Sequence, residues 1–193
     1  MEGKEITRRT FLKSMALGTT GLLIFPQCSF QTGSANWRVF TSEEADLMDA
    51  IVEQIIPTDE WMGAKDAGVT NYIDKQLTSH LSRFKENYKK GLKAIRLTCK
   101  EVYGTPFEKL PWDEQTKFLT RMQNGEFSTL AVKTADGGPV WEEGEDRSFF
   151  NLVRDHTMQG YYGSPRHGGN KDYVSYKMIG LDYPVIEGQN RYD

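Results

Sequence analysis

Apolar residues in the body of the chain recur mostly at intervals of three and four, which is the period of an α-helix. Thr41 and Glu44 have the spacing of a capping box, in which each side chain bonds a backbone amide at the start of a helix. This predicts a first helix that ends before Pro57, because proline cannot continue a helix. Its apolar face consists of Leu47, Ile51 and Ile55.

Four further segments repeat the helical period. The second contains Val69, Tyr72, Ile73 and Leu77, and the third contains Phe84, Tyr88, Leu92, Ile95, Cys99 and Val102 before Gly104 and Pro106. The fourth contains Trp112, Leu119 and Met122, ends at Gly125, and is separated by a loop (133–145) from the fifth, Arg147 to Tyr162. No comparable stretch alternates with period two, so sheet is at most a minor component.

After Tyr162 the chain is too rich in glycine and proline for either regular structure, from Gly163 to Asn170. The pattern therefore predicts a mostly α fold: one helical domain over residues 36–193, with a long, ordered C-terminal loop rich in glycine and aromatic residues. The length suits a single domain with one core.

The N-terminal segment resembles an export signal. Arg8 and Arg9 are followed by Phe11 and Leu12, which resembles the bacterial twin-arginine signal, a sequence read by a receptor. The apolar run after it spans about eleven residues, whereas a membrane-spanning helix needs roughly 20. Residues 1–35 are thus predicted to be a twin-arginine signal peptide, which implies export to the periplasm, through the twin-arginine machinery, of a protein that has already folded.

Two processing sites remain open. Gly33-Ser34-Ala35 offers the small residues that a signal peptidase prefers, which makes Asn36 the first mature residue. Alternatively, Cys28 becomes a lipidated N-terminus and holds the product at the membrane. Either cleavage leaves Cys99 as the one cysteine of the body, so no internal disulfide is expected, and a buried apolar role is predicted for it.

Charge and motif spacing exclude several functions. The whole chain has a net charge of −3, and residues 1–35 contain four cationic and two anionic side chains, so the mature protein is still more acidic. Nucleic acid binding calls for clustered Lys and Arg, so it is not expected. Gly137-Gly138 and Gly168-Gly169 lack the Gly-x-Gly-x-x-Gly spacing of a dinucleotide site, and there is no Cys-x-x-Cys-His run for haem. No cofactor is therefore predicted in this chain.

Two groups of polar residues have alternative interpretations. In one interpretation of the first group, His156 and His167 bind a metal ion together with Asp155 or Asp172, but their spacing is not that of a zinc site. A buried, hydrogen-bonded His156 that positions the following loop is the preferred interpretation. The second group is an acidic cluster that consists of Glu142, Glu143, Glu145 and Asp146. Two of these side chains are the catalytic carboxylates of a glycosidase in one interpretation, but the favoured interpretation is that the cluster belongs to a solvated loop or to the start of a helix.

The C-terminal loop is the predicted site of partner binding, because it combines rigid aromatic rings with an arginine, a composition enriched at interface anchors. The predicted contact residues are Tyr161, Tyr162, Pro165, Arg166, His167, Gly168, Gly169 and Asn170. In the alternative interpretation, the tyrosines close the domain's own core and the glycines form the turn.

The same region carries a resemblance to a known family. His156-Thr157, Gly160-Tyr161-Tyr162, Pro165 and Gly168-Gly169-Asn170 resemble the C-terminal signature of the gluconate 2-dehydrogenase subunit 3 family. Ala50 to Thr58, Gly63 to Val69 and Tyr72 to Asp74 are similar to its opening helix, loop and second helix, so the resemblance spans nearly all of the mature chain.

The resemblance implies a partner. Members of this family are small subunits of flavin-dependent sugar and sugar-acid dehydrogenases, and they pair with a large flavoprotein and often with a c-type cytochrome. It therefore implies a non-catalytic accessory subunit that helps a large, GMC-type subunit to fold, to stay stable and to be exported, with FAD in that partner. The other hypothesis is an autonomous periplasmic protein that binds or hydrolyses carbohydrate.

Overall fold

Six α-helices form the part of the chain that this computed structural model describes, residues 37–130 and 132–181. They are α1 (Ser42–Ile55), α2 (Val69–Gln76), α3 (Lys85–Tyr103), α4 (Trp112–Asn124), α5 (Glu145–Tyr162) and α6 (Val174–Met178). Within these residues there is no β-strand, and one isolated antiparallel bridge joins Lys133 to Pro139. The predicted mostly α fold class is confirmed.

The predicted export signal lies outside the described residues. Arg8, Arg9, Phe11 and Leu12 belong to it, as does the alternative lipidation site at Cys28. These assignments, and the domain boundary at residue 35, therefore stay predictions. In residues 37–130 and 132–181, no helix combines the length and the apolar character needed to cross a bilayer.

Local signals place the helix ends. The Thr41 hydroxyl accepts from the Glu44 amide at 3.1 Å, and the Glu44 carboxylate accepts from the Thr41 amide at 2.8 Å, which confirms the capping box. Gly104 and Gly125 follow α3 and α4 with φ of 69° and 75°. This left-handed conformation costs glycine little, and it ends both helices where the sequence predicts.

The helices bury the faces that their periodicity predicts. Leu47 and Ile51 on α1 and Ile73 on α2 are buried in one common core. On α3, Tyr88, Leu92, Ile95 and Cys99 are buried as well, whereas Val102, predicted to continue this face, is 38% exposed, and the next residue, Tyr103, packs against the core instead.

Helix α5 lies at the centre of the fold and packs against α1, α2, α3 and α4. It begins at Glu145, two residues before the predicted start at Arg147, because Glu145 and Asp146 form its acidic first turn. Gly91 on α3 lets it approach closely, since a Cβ there would lie 2.5 Å from atoms of the Phe149 ring. This central position fixes the point from which the C-terminal loop departs.

Candidate functional site

The C-terminal loop runs from Gly163 to Asn170 and lies against helix α2. Three side chains of α2 donate to carbonyl groups of the loop, which satisfies backbone that would otherwise need water. They are Asn71 to Gly168 O at 2.8 Å, Lys75 to Arg166 O at 3.0 Å and Gln76 to His167 O at 3.4 Å. The prediction that this segment lacks regular structure is wrong in one place, because Pro165–His167 forms a 3-10 turn, which a proline at its first position favours.

Asn170 fastens the two ends of the loop to each other. Its side chain is fully buried, its Nδ2 donates to Gly163 O at 2.8 Å, and its Oδ1 accepts from Ser175 N at 3.0 Å. The nitrogen and the oxygen of the side-chain amide therefore both have hydrogen-bond partners. Because one partner is a carbonyl and the other an N–H group, the partners determine which of the two amide atoms is the oxygen. Its φ of 47° is left-handed, a conformation that asparagine tolerates better than most residues.

Gly169 packs directly on the backbone of α5. A Cβ at Gly169 would overlap the carbonyl oxygen of Gly160, and a Cβ at Gly160 would lie 2.8 Å from the Tyr72 ring. The C-terminal loop, α5 and α2 therefore approach one another so closely at Gly160 and Gly169 that there is no room for a larger side chain.

The two neighbouring tyrosines have different environments. Tyr161 is 1% exposed, and its hydroxyl donates to Met62 O at 2.7 Å, 99 residues away in the chain. Tyr162 is 47% exposed. The alternative interpretation, in which the tyrosines close the core, therefore describes Tyr161, while Tyr162 presents its ring to the surface.

The eight predicted contact residues divide accordingly. Tyr161, Gly169 and Asn170 are buried within the chain itself, and they hold the loop in place rather than offering contact area. Pro165 and Gly168 are half-buried, and the exposed residues are Tyr162, Arg166 and His167. A partner that binds this region thus meets chiefly the exposed and half-buried members.

His156 is buried and hydrogen-bonded, as predicted. Its Nδ1 lies 2.9 Å from the Tyr88 hydroxyl, and the Phe84 ring meets it edge-on at 5.2 Å. The hydrogen bond joins α5 to α3, so the contact stabilises the helical core rather than the loop that follows. Burial lowers the pKa of His156; Asp155 opposes this shift and Arg83 adds to it.

We expect the stability of the domain to fall as the pH is lowered below about 6.5, the ordinary pKa of histidine. Because the pKa of His156 is lower in the folded chain, the unfolded chain takes up the proton first, and stability is lost between the two values. The slope is at most about 1.4 kcal/mol per pH unit for one proton. Urea titrations from pH 7.5 to 5 measure it.

The control for this titration replaces another histidine. His156→Gln should flatten the slope, whereas His80→Gln, at an exposed position, should leave it in place. An equal slope in the wild-type and His156→Gln proteins would contradict the assignment.

The acidic cluster has a structural role that the sequence interpretation recognised only in part. Glu145 forms an ion pair with Lys90 at 2.7 Å and accepts from the Glu142 amide. Asp146 is fully buried and accepts from the amides of Phe127, at 2.8 Å, and Ser128, at 3.0 Å. It therefore fastens the chain after α4 to the start of α5, and it is not solvated.

Sequence reasoning named Asp74 only as part of the family resemblance and assigned no role to it. This carboxylate on α2 is fully buried and accepts from three successive amides, those of Arg38, Val39 and Phe40, at 2.8–3.0 Å. The available signal was its position: Asp74 follows Ile73 and lies between Thr70 and Leu77 on the face that is buried. A carboxylate there requires a set of donors.

Two further observations concern whether the chain has chemically reactive groups or a metal site. Cys99 is fully buried, as predicted, and burial, with the Glu108 carboxylate adding to it, raises the pKa of its thiol to about 12. A thiol in this state is a poor nucleophile. Over residues 37–130 and 132–181, no three His, Cys, Asp or Glu side chains are placed to hold a metal ion.

Fold and site together define a small helical protein whose C-terminal loop is fastened to its own second and fifth helices. The family model for gluconate 2-dehydrogenase subunit 3 matches residues 42–182, a span that contains all six helices and the loop, and the chain belongs to this family. No curated protein and no solved structure matches it. Family membership indicates an accessory subunit of a dehydrogenase complex and implies association with a larger dehydrogenase subunit.

Proposed function

We propose that the chain is the non-catalytic small subunit of a periplasmic, FAD-dependent, GMC-type sugar or sugar-acid dehydrogenase complex. It aids the folding, the stability and the twin-arginine export of the large subunit, which binds the FAD. The proposed complex includes a c-type cytochrome as a further partner. The observation that carries this proposal is the family match over residues 42–182, on a chain that begins with a twin-arginine motif at Arg8 and Arg9.

The described side chains are consistent with an accessory role. The two cluster carboxylates in the first turn of α5 are engaged, Glu145 with Lys90 and Asp146 with backbone amides. The thiol of Cys99 is buried and its pKa is raised. Each of these groups therefore has a structural role in this chain.

Co-expression tests the escort role. The large subunit is produced with the wild-type chain, without it, and with an Arg8→Lys, Arg9→Lys chain, and dehydrogenase activity is assayed in the periplasm and the cytoplasm. We expect periplasmic activity only with the wild-type chain, and cytoplasmic activity with the double variant. Active large subunit in the periplasm without this chain would refute the escort role.

Mass spectrometry of the exported chain settles how it is held in the periplasm. A mature protein that begins at Asn36 fits cleavage after Ala35, and the chain is then held in the complex only by its contacts with the partner subunit. A diacylated Cys28 at the N-terminus would instead fit a lipid anchor.

Tyr162→Ala should weaken the complex at least about tenfold, because a large exposed ring is the type of side chain that contributes most at interfaces. The melting temperature of the chain should change by less than about 2 °C, since Tyr162 is 47% exposed and contributes little to the core. Tyr161→Ala is the contrasting variant, and it should lower the melting temperature by removing a buried ring. A large loss of stability in Tyr162→Ala would assign that ring to the core.

A further inference from the structure

A cavity with two cationic side chains in its lining lies at the end of α3, and we call it the α3 cavity. Its volume is about 350 Å³. Arg96 and Lys100 line it from α3, and Gly104, Thr105 and Pro106 line it from the turn that follows. Arg96 and Lys100 are four residues apart and therefore share one face of the helix. The volume lies at the lower end of the range of cavities that hold small organic ligands.

The guanidinium of Arg96 contains hydrogen-bond donors without acceptors. Its Nε and Nη2 are shielded from water, and neither has a hydrogen-bond partner in residues 37–130 and 132–181. Its Nη1 lies 3.4 Å from Glu43 Oε2, but the glutamate side chain is 81% exposed, so this ion pair contributes little. Buried donors without acceptors are costly and rare in native proteins, and each one needs an explanation.

The two unpartnered nitrogens of Arg96 are suited to an oxyanion. Nε and Nη2 lie on one edge of the planar guanidinium, and their parallel N–H groups match two oxygens of a carboxylate or a phosphate. Because Arg96 lines the α3 cavity, a turn of its side chain brings this edge to a ligand there. Lys100 supplies a second positive charge and Thr105 a hydroxyl, while Pro106 provides apolar surface for the body of the ligand.

The charges of the α3 cavity favour an anion, although acids lie in its neighbourhood. Of its five lining residues two are cations and none is an acid. Glu43 contacts Arg96 from α1, Glu101 lies on the last turn of α3, and Glu108 follows that helix, but none of these three lines the cavity. The end of a helix carries about half a negative elementary charge, which is less than the charge of either cation. The balance at the lining itself is therefore positive.

We infer that the α3 cavity binds a small oxyanion, an organic carboxylate or phosphate, through the Nε–Nη2 edge of Arg96 and the ammonium group of Lys100. Such a ligand explains why the fold retains a guanidinium with two unpaired donors. The site consists of other residues than the C-terminal loop, and the inference does not depend on the proposed partner.

Calorimetric titration of the purified chain at constant ionic strength tests the inference, with sodium phosphate and sodium acetate as separate probes. We expect at least one of them to bind with a dissociation constant below about 10 mM. Binding of phosphate alone would assign a phosphate ligand, and binding of acetate alone would assign a carboxylate. If neither probe binds this tightly, the inference is overturned.

Substitutions in the lining identify the groups that bind the probe. Arg96→Lys should weaken binding at least about tenfold, because lysine keeps the charge but lacks the forked edge. Lys100→Gln, at an exposed position where folding is not at stake, should weaken it at least about threefold. Lys89→Gln is the matched control: it removes an exposed charge from the same helix, about 10 Å along the axis, and should stay within about twofold of wild type.

Thermal melts distinguish a binding role of Arg96 from a structural one. Arg96→Met should abolish binding and melt at or above the temperature of the wild-type chain, because it removes donors that have no acceptor. A melting temperature lowered as by a core substitution would assign Arg96 to the fold and overturn the inference. Equal affinities in the wild-type and Arg96→Lys chains, or a loss in Lys89→Gln as large as that in Lys100→Gln, would show that charge alone attracts the anion and would overturn it too.

Discussion

Asp74→Ala should lower the free energy of unfolding by about 4 kcal/mol, the largest effect that we predict for a single substitution. The carboxylate is fully buried and accepts from the amides of Arg38, Val39 and Phe40, and it also lies 3.5 Å from the Arg38 guanidinium. Alanine leaves these amides without an acceptor, and the amide of Phe40 is buried away from water. An unsatisfied buried donor typically costs about 1–3 kcal/mol.

The consequence for the domain is the release of the segment before α1. Phe40 is 5% exposed and packs against Tyr88 with ring centroids 5.8 Å apart, so losing the Asp74 contacts also loosens an apolar contact with α3. Thermal unfolding should shift down by roughly 10 °C, given about 2–4 °C per kcal/mol for a domain of this size.

Circular dichroism melts and urea titrations measure the effect of Asp74→Ala. Asp66→Ala removes a carboxylate from an exposed position just before α2 and is the matched control, with a change expected within about 0.5 kcal/mol. Asp74→Asn keeps one acceptor oxygen and should fall between the two. A melting temperature for Asp74→Ala equal to that of Asp66→Ala would show that the carboxylate does not hold the segment.

Gly169→Ala should cost about 3 kcal/mol of stability and weaken the complex with the large subunit as well. A Cβ at this position would overlap the carbonyl oxygen of Gly160, which belongs to the backbone of α5 and cannot rotate away. The loop must then lift from the helix. This strains the two hydrogen bonds of Asn170 and displaces the predicted contact residues of the loop.

Gly138→Ala is a well-matched control for Gly169→Ala. Neither glycine needs a left-handed backbone, so the two substitutions differ chiefly in the space available. A Cβ at Gly138 meets its nearest atom, Thr134 Oγ1, at 3.5 Å, which is an ordinary contact. Melting temperature and complex affinity should therefore be close to wild type for Gly138→Ala and reduced for Gly169→Ala. Equal values for the two variants would contradict the close packing of loop and helix.

These contacts indicate how an accessory subunit of this family can present a stable surface. Buried polar side chains fasten irregular segments to helices at three places. Asp74 on α2 holds the segment before α1, Asp146 on α5 holds the segment after α4, and Asn170 holds the loop before α6. Each satisfies backbone groups that a loop would otherwise leave to water. In the complex we propose, the rigidity that these contacts provide is the contribution of the small subunit.

The sequence by itself determined the first five helices and the family, whereas the short α6 lies in the segment that was predicted to be a loop. The capping box at Thr41 and Glu44, the glycines that end α3 and α4, and the apolar periodicity of each helix all act between residues at most a few positions apart. Such interactions have nearly the same geometry in any fold, which is why they can be predicted from spacing alone. The motif from His156 to Asn170 likewise identified the family, because it is a pattern of residues along the chain.

The tertiary structure alone decided which polar residues are buried and which apolar ones are exposed. Asp74 meets amides 34–36 residues away, and Tyr161 meets Met62 at a separation of 99, so no local pattern distinguishes Tyr161 from its exposed neighbour Tyr162. Burial is a property of how distant segments pack against each other, and periodicity describes only the face that a helix offers to that packing.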